Sequence, residues 1–245
     1  MTLQISRSSA FINVPPRKAL AAREQTLRDC DECKDGGTLD NCCQKCYYIN
    51  DAKKRFEDSN IPIMYWSLSM GKDFWGDPIL LEKFNEITTN LSNTYNEGTC
   101  LCFAGRHGIG KTLTCANILK KAVVKGYQCL YTTLGDIVNM AVSGPMDQKF
   151  KARKELTMVD FLVIDEFDSR HMTTGASADL YGRQLENVFR RRSENKLPTF
   201  MCTNSPQILD SFEGPIRQSV ASLMNYVTIV TVMGKDGRDP KNRGA

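Results

Sequence analysis

With 245 residues and a 41% hydrophobic fraction, the chain is long enough for one large domain or for a domain with an appendage. No run of about 18 apolar residues occurs, which argues against a membrane-spanning helix. The N-terminal MTLQISRSSAFINVPPRKAL has no apolar stretch of the secretory kind, so a cytoplasmic protein with no membrane partner is expected. The net charge of +4 permits a nucleic-acid partner without requiring one.

In chain order, residues 1–29 read as a polar arm. Pro15-Pro16 and the helix formers RKALAAREQTLRD lead into a short helix. Residues 30–46 carry five of the ten cysteines. Residues 51–97 form a connector. Within it, Ile79, Leu80, Phe84, Ile87 and Leu91 recur at helical spacing and predict a helix over Pro78 to Leu91.

From residue 98 the pattern alternates. TCLCFAG reads as a strand, and KTLTCANILKKAVVKG as a helix with Leu113, Ala116, Leu119 and Val123 on one face. YQCLYTT is a strand and LGDIVNMAV a short helix. VDFLVIDEF holds the unbroken apolar run of a strand covered on both faces. LYGRQLENVFRRRSENK places Tyr181, Leu185, Val188 and Phe189 on one helical face, and PTFMCTN and YVTIVTV are two further strands. This rhythm implies an α/β fold, a parallel sheet with helices on both sides, over residues 98–245. Residues 1–50 are then an N-terminal arm with a cysteine-rich module. Cys100, Cys102, Cys115, Cys129 and Cys202 read as small buried hydrophobes.

Gly105-Arg106-His107-Gly108-Ile109-Gly110-Lys111-Thr112 fits G-x-x-x-x-G-K-[ST] at every fixed position. Glycines let the backbone curl so that successive N–H groups face phosphate oxygens, and the following helix N-terminus favours an anion. Lys111 is placed to reach the outer phosphates of ATP, and Thr112 to ligate Mg²⁺. His107 reads as a variable loop residue rather than a catalyst.

The run FLVIDEF ends in Asp165 and Glu166 at the carboxyl edge of its strand, where ligands of open α/β sheets bind. Asp165 is the candidate Mg²⁺ holder and Glu166 the candidate group that orients attacking water. Asn204 ends a further strand beside them and is a candidate contact to the γ-phosphate or the water.

Together with YGRQLENVFRRRSENKLPTFMCTN and SNIPIMYWSLSM, these motifs resemble the P-loop AAA+ ATPases of the replicative-helicase loader group. These are the DnaC and DnaI type, with the IstB transposition helpers as relatives. The resemblance covers about residues 30–240. It implies that Gly105, Gly110, Lys111 and Thr112 are Walker A residues, Asp165 and Glu166 Walker B, and Asn204 sensor 1. It also implies that Arg217 reaches a neighbouring subunit's γ-phosphate, although this chain has Gly214-Pro215-Ile216-Arg217 where loaders often read Gly-Glu-Arg. Arg238 is the corresponding sensor 2 candidate. An arginine supplied in trans implies self-association through the ATP site and slow hydrolysis by a lone subunit.

Cys30-x2-Cys33 and Cys43-x2-Cys46 form two chelating knuckles whose four thiolates suit tetrahedral Zn²⁺. Cys42 is an alternative to Cys43, and a set of reduced thiols or a redox pair is the plainer reading.

Lys149, Lys151, Arg153 and Lys154 cluster in MDQKFKARKELT, between the second and third strands. The resemblance implies that this insertion lines a channel for single-stranded DNA, with Phe150 stacking on a base. The residues alone favour a solvated helix face with Phe150 in the core. Arg190, Arg191 and Arg192 are a second candidate patch. The combined expectation is an ATPase that loads a replicative hexameric DNA helicase onto single-stranded DNA. A transposition helper and a zinc-dependent DNA-binding module without turnover are the rivals.

Overall fold

The computed structural model describes residues 9–11, 14–168, 176–205, 207–212, 214–234 and 236. Five strands pair in parallel: β1 (Cys100–Ala104), β2 (Cys129–Thr133), β3 (Phe161–Asp165), β4 (Thr199–Thr203) and β5 (Thr228–Thr231). Their spatial order is β2-β3-β4-β1-β5. The register sets Cys100 opposite Thr199, Leu101 opposite Thr228, Cys129 opposite Phe161 and Leu162 opposite Thr199. The chain leaves β1 for the far edge, returns strand by strand to β1, and ends on its other side. Connections from neighbouring strands therefore diverge at the carboxyl end of β1, which opens a crevice there.

Alternation along β3 explains its unbroken apolar run. Phe161 and Val163 join the core on one face of the sheet, Leu162 and Ile164 the core on the other. On the first face lie α1 (Pro16–Arg28), α2 (Gln44–Asp58), α3 (Pro78–Thr89), α4 (Leu91–Glu97) and α5 (Lys111–Val124). On the second lie α6 (Leu134–Ser143), α7 (Met146–Met158), α8 (Ala176–Glu194) and α9 (Gly214–Met224). Among the described residues no helix is long and apolar enough to cross a membrane.

Several elements depart from the expected pattern for identifiable reasons. The helix expected over Pro78 to Leu91 stops at Thr89, because Asn90 turns the chain and its side chain accepts from Asn93 N to cap α4. Helix α5 is buried well beyond one stripe, at Thr114, Cys115, Ile118 and Ala122 as well as Ala116, Leu119 and Val123, because it is packed between the sheet and α2 and α3. Leu113 is only partly buried. On α8, Leu185, Val188 and Phe189 are in the core, while the Tyr181 side chain lies outside the described residues. Of the five dispersed cysteines, Cys102, Cys115, Cys129 and Cys202 are buried and Cys100 is partly so.

The arginine run of α8 is corrected at one position. Arg192 is 1% exposed. Its guanidinium donates to Thr199 Oγ1 (2.8 Å) and to the carbonyls of Leu156 (3.0 Å), Val159 (2.8 Å), Asp160 (3.3 Å) and Pro198 (2.7 Å). The planar fork suits several fixed acceptors at once. Arg192 staples α7, β4 and their connections, and it is not part of a DNA surface. Arg190 pairs with Glu186 one turn back.

Candidate nucleotide site and cysteine centre

The phosphate loop starts where β1 ends. Gly105 N donates to Thr203 O of the neighbouring strand, and the backbone then curls through Gly108 (φ 79°) and Gly110 (φ 100°) into α5. A side chain at Gly110 is excluded twice, by this left-handed φ and by Phe74, whose ring lies 2.6 Å from where a Cβ would stand. Ile109 anchors the loop with a buried side chain, so only its backbone can serve a phosphate; Arg106 and His107 are exposed. Lys111 Nζ donates to Gly105 O (2.8 Å), Arg106 O (2.7 Å) and Asn204 Oδ1 (3.1 Å). Burial lowers the Lys111 pKa against the opposing pull of nearby thiols and Asp165.

The carboxyl ends of β3 and β4 close the site. Thr112 Oγ1 lies 3.3 Å from Asp165 Oδ1, which also accepts from Glu166 N (2.9 Å). Asp165 Oδ2 accepts from Tyr131 OH at 2.5 Å. Glu166 takes a left-handed φ of 52°, which turns the chain out of the strand, and its side chain is exposed to the cleft. Lys111, Thr112, Asp165, Glu166 and Asn204 thus line one cleft of about 400 Å³. A hydroxyl and a carboxylate this close would suit a hard cation, and the lysine beside them would suit an anionic ligand.

A further part of the lining carries no recognisable motif in the sequence. Phe74, Trp75 and Gly76 line the same cleft, and Trp75 is 53% exposed there. The turn is tight: a Cβ on Gly76 would sit 2.2 Å from Ile109 O. Asp77 fastens it. Asp77 N donates to Ile109 O (3.1 Å), Oδ1 caps α3 at Ile79 N (2.9 Å) and Oδ2 accepts from Met233 N (2.9 Å) beyond β5. The readable signal was Asp-Pro at a helix start, whereas its contact with the loop is long-range. Further along, the Asp236 carboxylate lies against Gly108, with Oδ1 1.9 Å from where a Cβ would stand. Arg217 is exposed in the first turn of α9 and is not among the cleft's described lining; Arg238 lies outside the described residues.

The cysteine segment forms a second centre. The sulfurs of Cys30, Cys33, Cys43 and Cys46 all lie within 4.8 Å of one another, with Cys30 and Cys43 3.7 Å apart. Tetrahedral zinc with Zn–S bonds of about 2.3 Å needs sulfurs about 3.8 Å apart. Cys33 Sγ accepts from Cys43 N (3.2 Å) and Cys43 Sγ from Cys46 N (3.5 Å), which orients both knuckles. Gly37 makes the return possible, since a Cβ there would meet Cys33 Cβ at 2.7 Å. The thiol of Cys46 hydrogen-bonds Cys30 and helps hold its pKa down at about 7, while burial raises Cys46. The geometry fits zinc and selects Cys43 over Cys42 for the four-sulfur group.

Helix α7 differs from its expected burial. Phe150 is 74% exposed and Met146 83%, so Phe150 is not a core residue. Ala152, Leu156 and Thr157 supply the buried side instead. Phe150 therefore stands outside among Lys149, Lys151, Arg153 and Lys154.

A parallel sheet with this loop at its crevice defines a phosphate-loop nucleotide-binding domain. Residues 101–217, just under half of the chain, match the ATPase family associated with various cellular activities (AAA). Solved structures share its fold. DnaI superposes with a TM-score of 0.52 at 15% identity, over 64% of this chain and 84% of that one. The DnaC helicase loader gives 0.52 at 16%, over 69% and 99%. A DNA replication initiation factor gives 0.51 at 17%, over 69% and 48%. No curated protein matches the chain.

Proposed function

We propose that the chain is an ATPase that loads a replicative hexameric DNA helicase onto single-stranded DNA. The observation that carries the nucleotide reading is the convergence of Lys111, Thr112, Asp165, Glu166 and Asn204 on one cleft at the sheet's carboxyl edge. The loader reading is supported by the fold, which spans 99% of the DnaC helicase loader and 84% of DnaI.

In this mechanism the loop's backbone N–H groups and Lys111 take the phosphates of ATP. Thr112 and Asp165 would hold Mg²⁺, which would screen the charge of the phosphates. Glu166 orients the attacking water, and Asn204 contacts the γ-phosphate. Trp75 lines the same cleft and offers a flat face to the base. Arg217, exposed on α9, serves the site of a neighbouring subunit, so a lone subunit turns over slowly. Zinc on Cys30, Cys33, Cys43 and Cys46 orders a module that grips the helicase. The basic residues of α7 with Phe150 meet single-stranded DNA through phosphates and stacking.

The test is co-purification with a replicative hexameric helicase, followed by helicase deposition on coated single strands with wild type and Glu166→Gln. The variant is expected to keep bound ATP and lose turnover by about 10²-fold or more. Equal turnover in the variant rejects the hydrolytic role of Glu166. Absence of any helicase complex shifts the reading to a transposition helper.

A further inference from the structure

Tyr131 lies on β2, away from the phosphate loop, yet its hydroxyl reaches the carboxylate on which the magnesium reading depends. The side chain is 4% exposed and its hydroxyl donates to Asp165 Oδ2 at 2.5 Å. The other oxygen, Oδ1, is shared between Thr112 Oγ1 and Glu166 N. Both carboxylate oxygens are thereby assigned: one is tied back into the protein and the other faces the residue that completes a cation site. A carboxylate with a free rotor would sample orientations that leave Thr112 unmatched, and a buried hydroxyl on one oxygen removes that freedom.

The backbone of Tyr131 is itself held from outside the ATPase domain. Strand β2 is an edge of the sheet, and the connector covers that edge. Tyr131 N donates to Ser59 O (2.9 Å), and Asn60 Nδ2 donates to Tyr131 O (3.0 Å). Ser59 and Asn60 are 6% and 2% exposed, and Asn60 takes a left-handed φ of 60°, which turns the chain toward the strand. They follow directly on α2, whose N-cap is Cys43 and whose first turn holds Cys46. One helix therefore joins the cysteine centre to the residue that fixes Asp165.

We propose that Tyr131 is a positioning residue of the metal-binding carboxylate, and that the connector sets it through Ser59 and Asn60. The role rests on the magnesium–ATP reading of the cleft. Tyr131 touches neither nucleotide nor metal; it acts through Asp165. Anything that shifts α2, including a partner docked on the cysteine module, is thereby coupled to the metal site.

The experiment measures ATP hydrolysis against Mg²⁺ concentration, with ATP binding in excess chelator as the control. Tyr131→Phe removes only the hydroxyl. It is expected to raise the Mg²⁺ concentration for half-maximal turnover about tenfold, as for one hydrogen bond to a charged group, and to leave metal-free ATP affinity unchanged. Asn60→Gly keeps the left-handed backbone and removes the side-chain bond. It is expected to raise the same Mg²⁺ concentration about threefold alone and to add nothing in the Tyr131→Phe background. An unchanged Mg²⁺ dependence in Tyr131→Phe, or a parallel loss of metal-free ATP binding, overturns the positioning role. Equal effects of Asn60→Gly in both backgrounds overturn the connector link. If Tyr131→Phe does not fold, an unchanged Mg²⁺ dependence in Asn60→Gly overturns the proposal. A wild-type protein that binds no ATP under any condition sinks the nucleotide reading instead, so the two failures are distinct.

Discussion

Lys111 of the phosphate loop donates to Asn204 at the tip of β4 at 3.1 Å, so the lysine side chain ties the loop to the strand tip across the crevice. The same ammonium is held by the carbonyls of Gly105 and Arg106. Bound phosphates would replace neutral acceptors with charged ones, which are stronger partners. Lys111→Ala is therefore expected to weaken ATP binding by at least about tenfold, the worth of one charged hydrogen bond. Asn204→Ala removes a contact aimed at the γ-phosphate or the water. It should lower kcat by about 10²-fold with little change in KM, because the contact matters chiefly in the transition state. Titration calorimetry and steady-state kinetics on both variants read the difference.

ATP affinity should fall at alkaline pH. Burial lowers the Lys111 pKa below its ordinary 10.5 in the nucleotide-free protein. Phosphates beside it favour the ammonium and raise that pKa. Between the two values the bound state holds more protons than the free state, so affinity decreases as pH rises through the free-state pKa. Calorimetry in buffers of different ionisation enthalpy should detect proton uptake on binding in that window. Proton release would contradict the assignment.

What the sequence made legible is what the backbone does locally. The curl at Gly108 and Gly110, the acids at the end of FLVID and the paired knuckles at Cys30 and Cys43 are set by residues within a few positions of one another. Contacts that depend on the assembled sheet were not legible. Asp77 looks like an ordinary helix cap, and only the fold brings it to Ile109 and Met233. Arg192 has two arginines before it in the run, and the turn of α8 alone decides that it points inward. For Phe150 the residues alone favour the core and the resemblance favours a base-stacking position; the fold decides, because Ala152 and Leu156 fill the inward face of α7. The choice between Cys42 and Cys43 needed sulfur positions, since both satisfy the spacing rule loosely.

Zinc should be released by Cys43→Ser and retained by Cys42→Ser. Cys43 brings its sulfur within the four-sulfur group and accepts from Cys46 N, and Cys42 is not a member. Metal content by mass spectrometry on the two purified variants separates them. Because binding energy at a closed thiolate site is folding energy, chelation should also increase proteolysis within residues 30–46. Purified wild type without zinc would remove the centre.

Arg192→Ala should destabilise the protein by about 3–5 kcal/mol in denaturant unfolding, because several buried carbonyls lose their donor together. The oxygens of Leu156 and Val159 accept from this guanidinium, and Pro198 O accepts from it as well as from Leu162 N. Arg191→Ala, at an exposed position of the same helix, should stay within about 0.5 kcal/mol of wild type. Equal effects of the two substitutions would contradict the structural role of Arg192 and return the run to the DNA-contact candidates.

Phe150 offers the sharpest separation of function from stability. A ring 74% exposed contributes little to the fold, so Phe150→Ala should leave unfolding within about 0.5 kcal/mol of wild type. If the ring stacks on a base, the same change should weaken single-stranded DNA binding by about 1–3 kcal/mol, or roughly 5- to 150-fold. The lysines beside it act differently. Lys149→Ala and Lys151→Ala should weaken binding less at high salt than at low salt, and each should reduce the slope of log K against log salt by about 0.7 if it neutralises one phosphate of a single strand. Fluorescence anisotropy across a salt series distinguishes the two kinds of contact. A Phe150→Ala variant that binds single strands as wild type does, with the lysine variants unchanged in slope, would place the DNA surface elsewhere than α7.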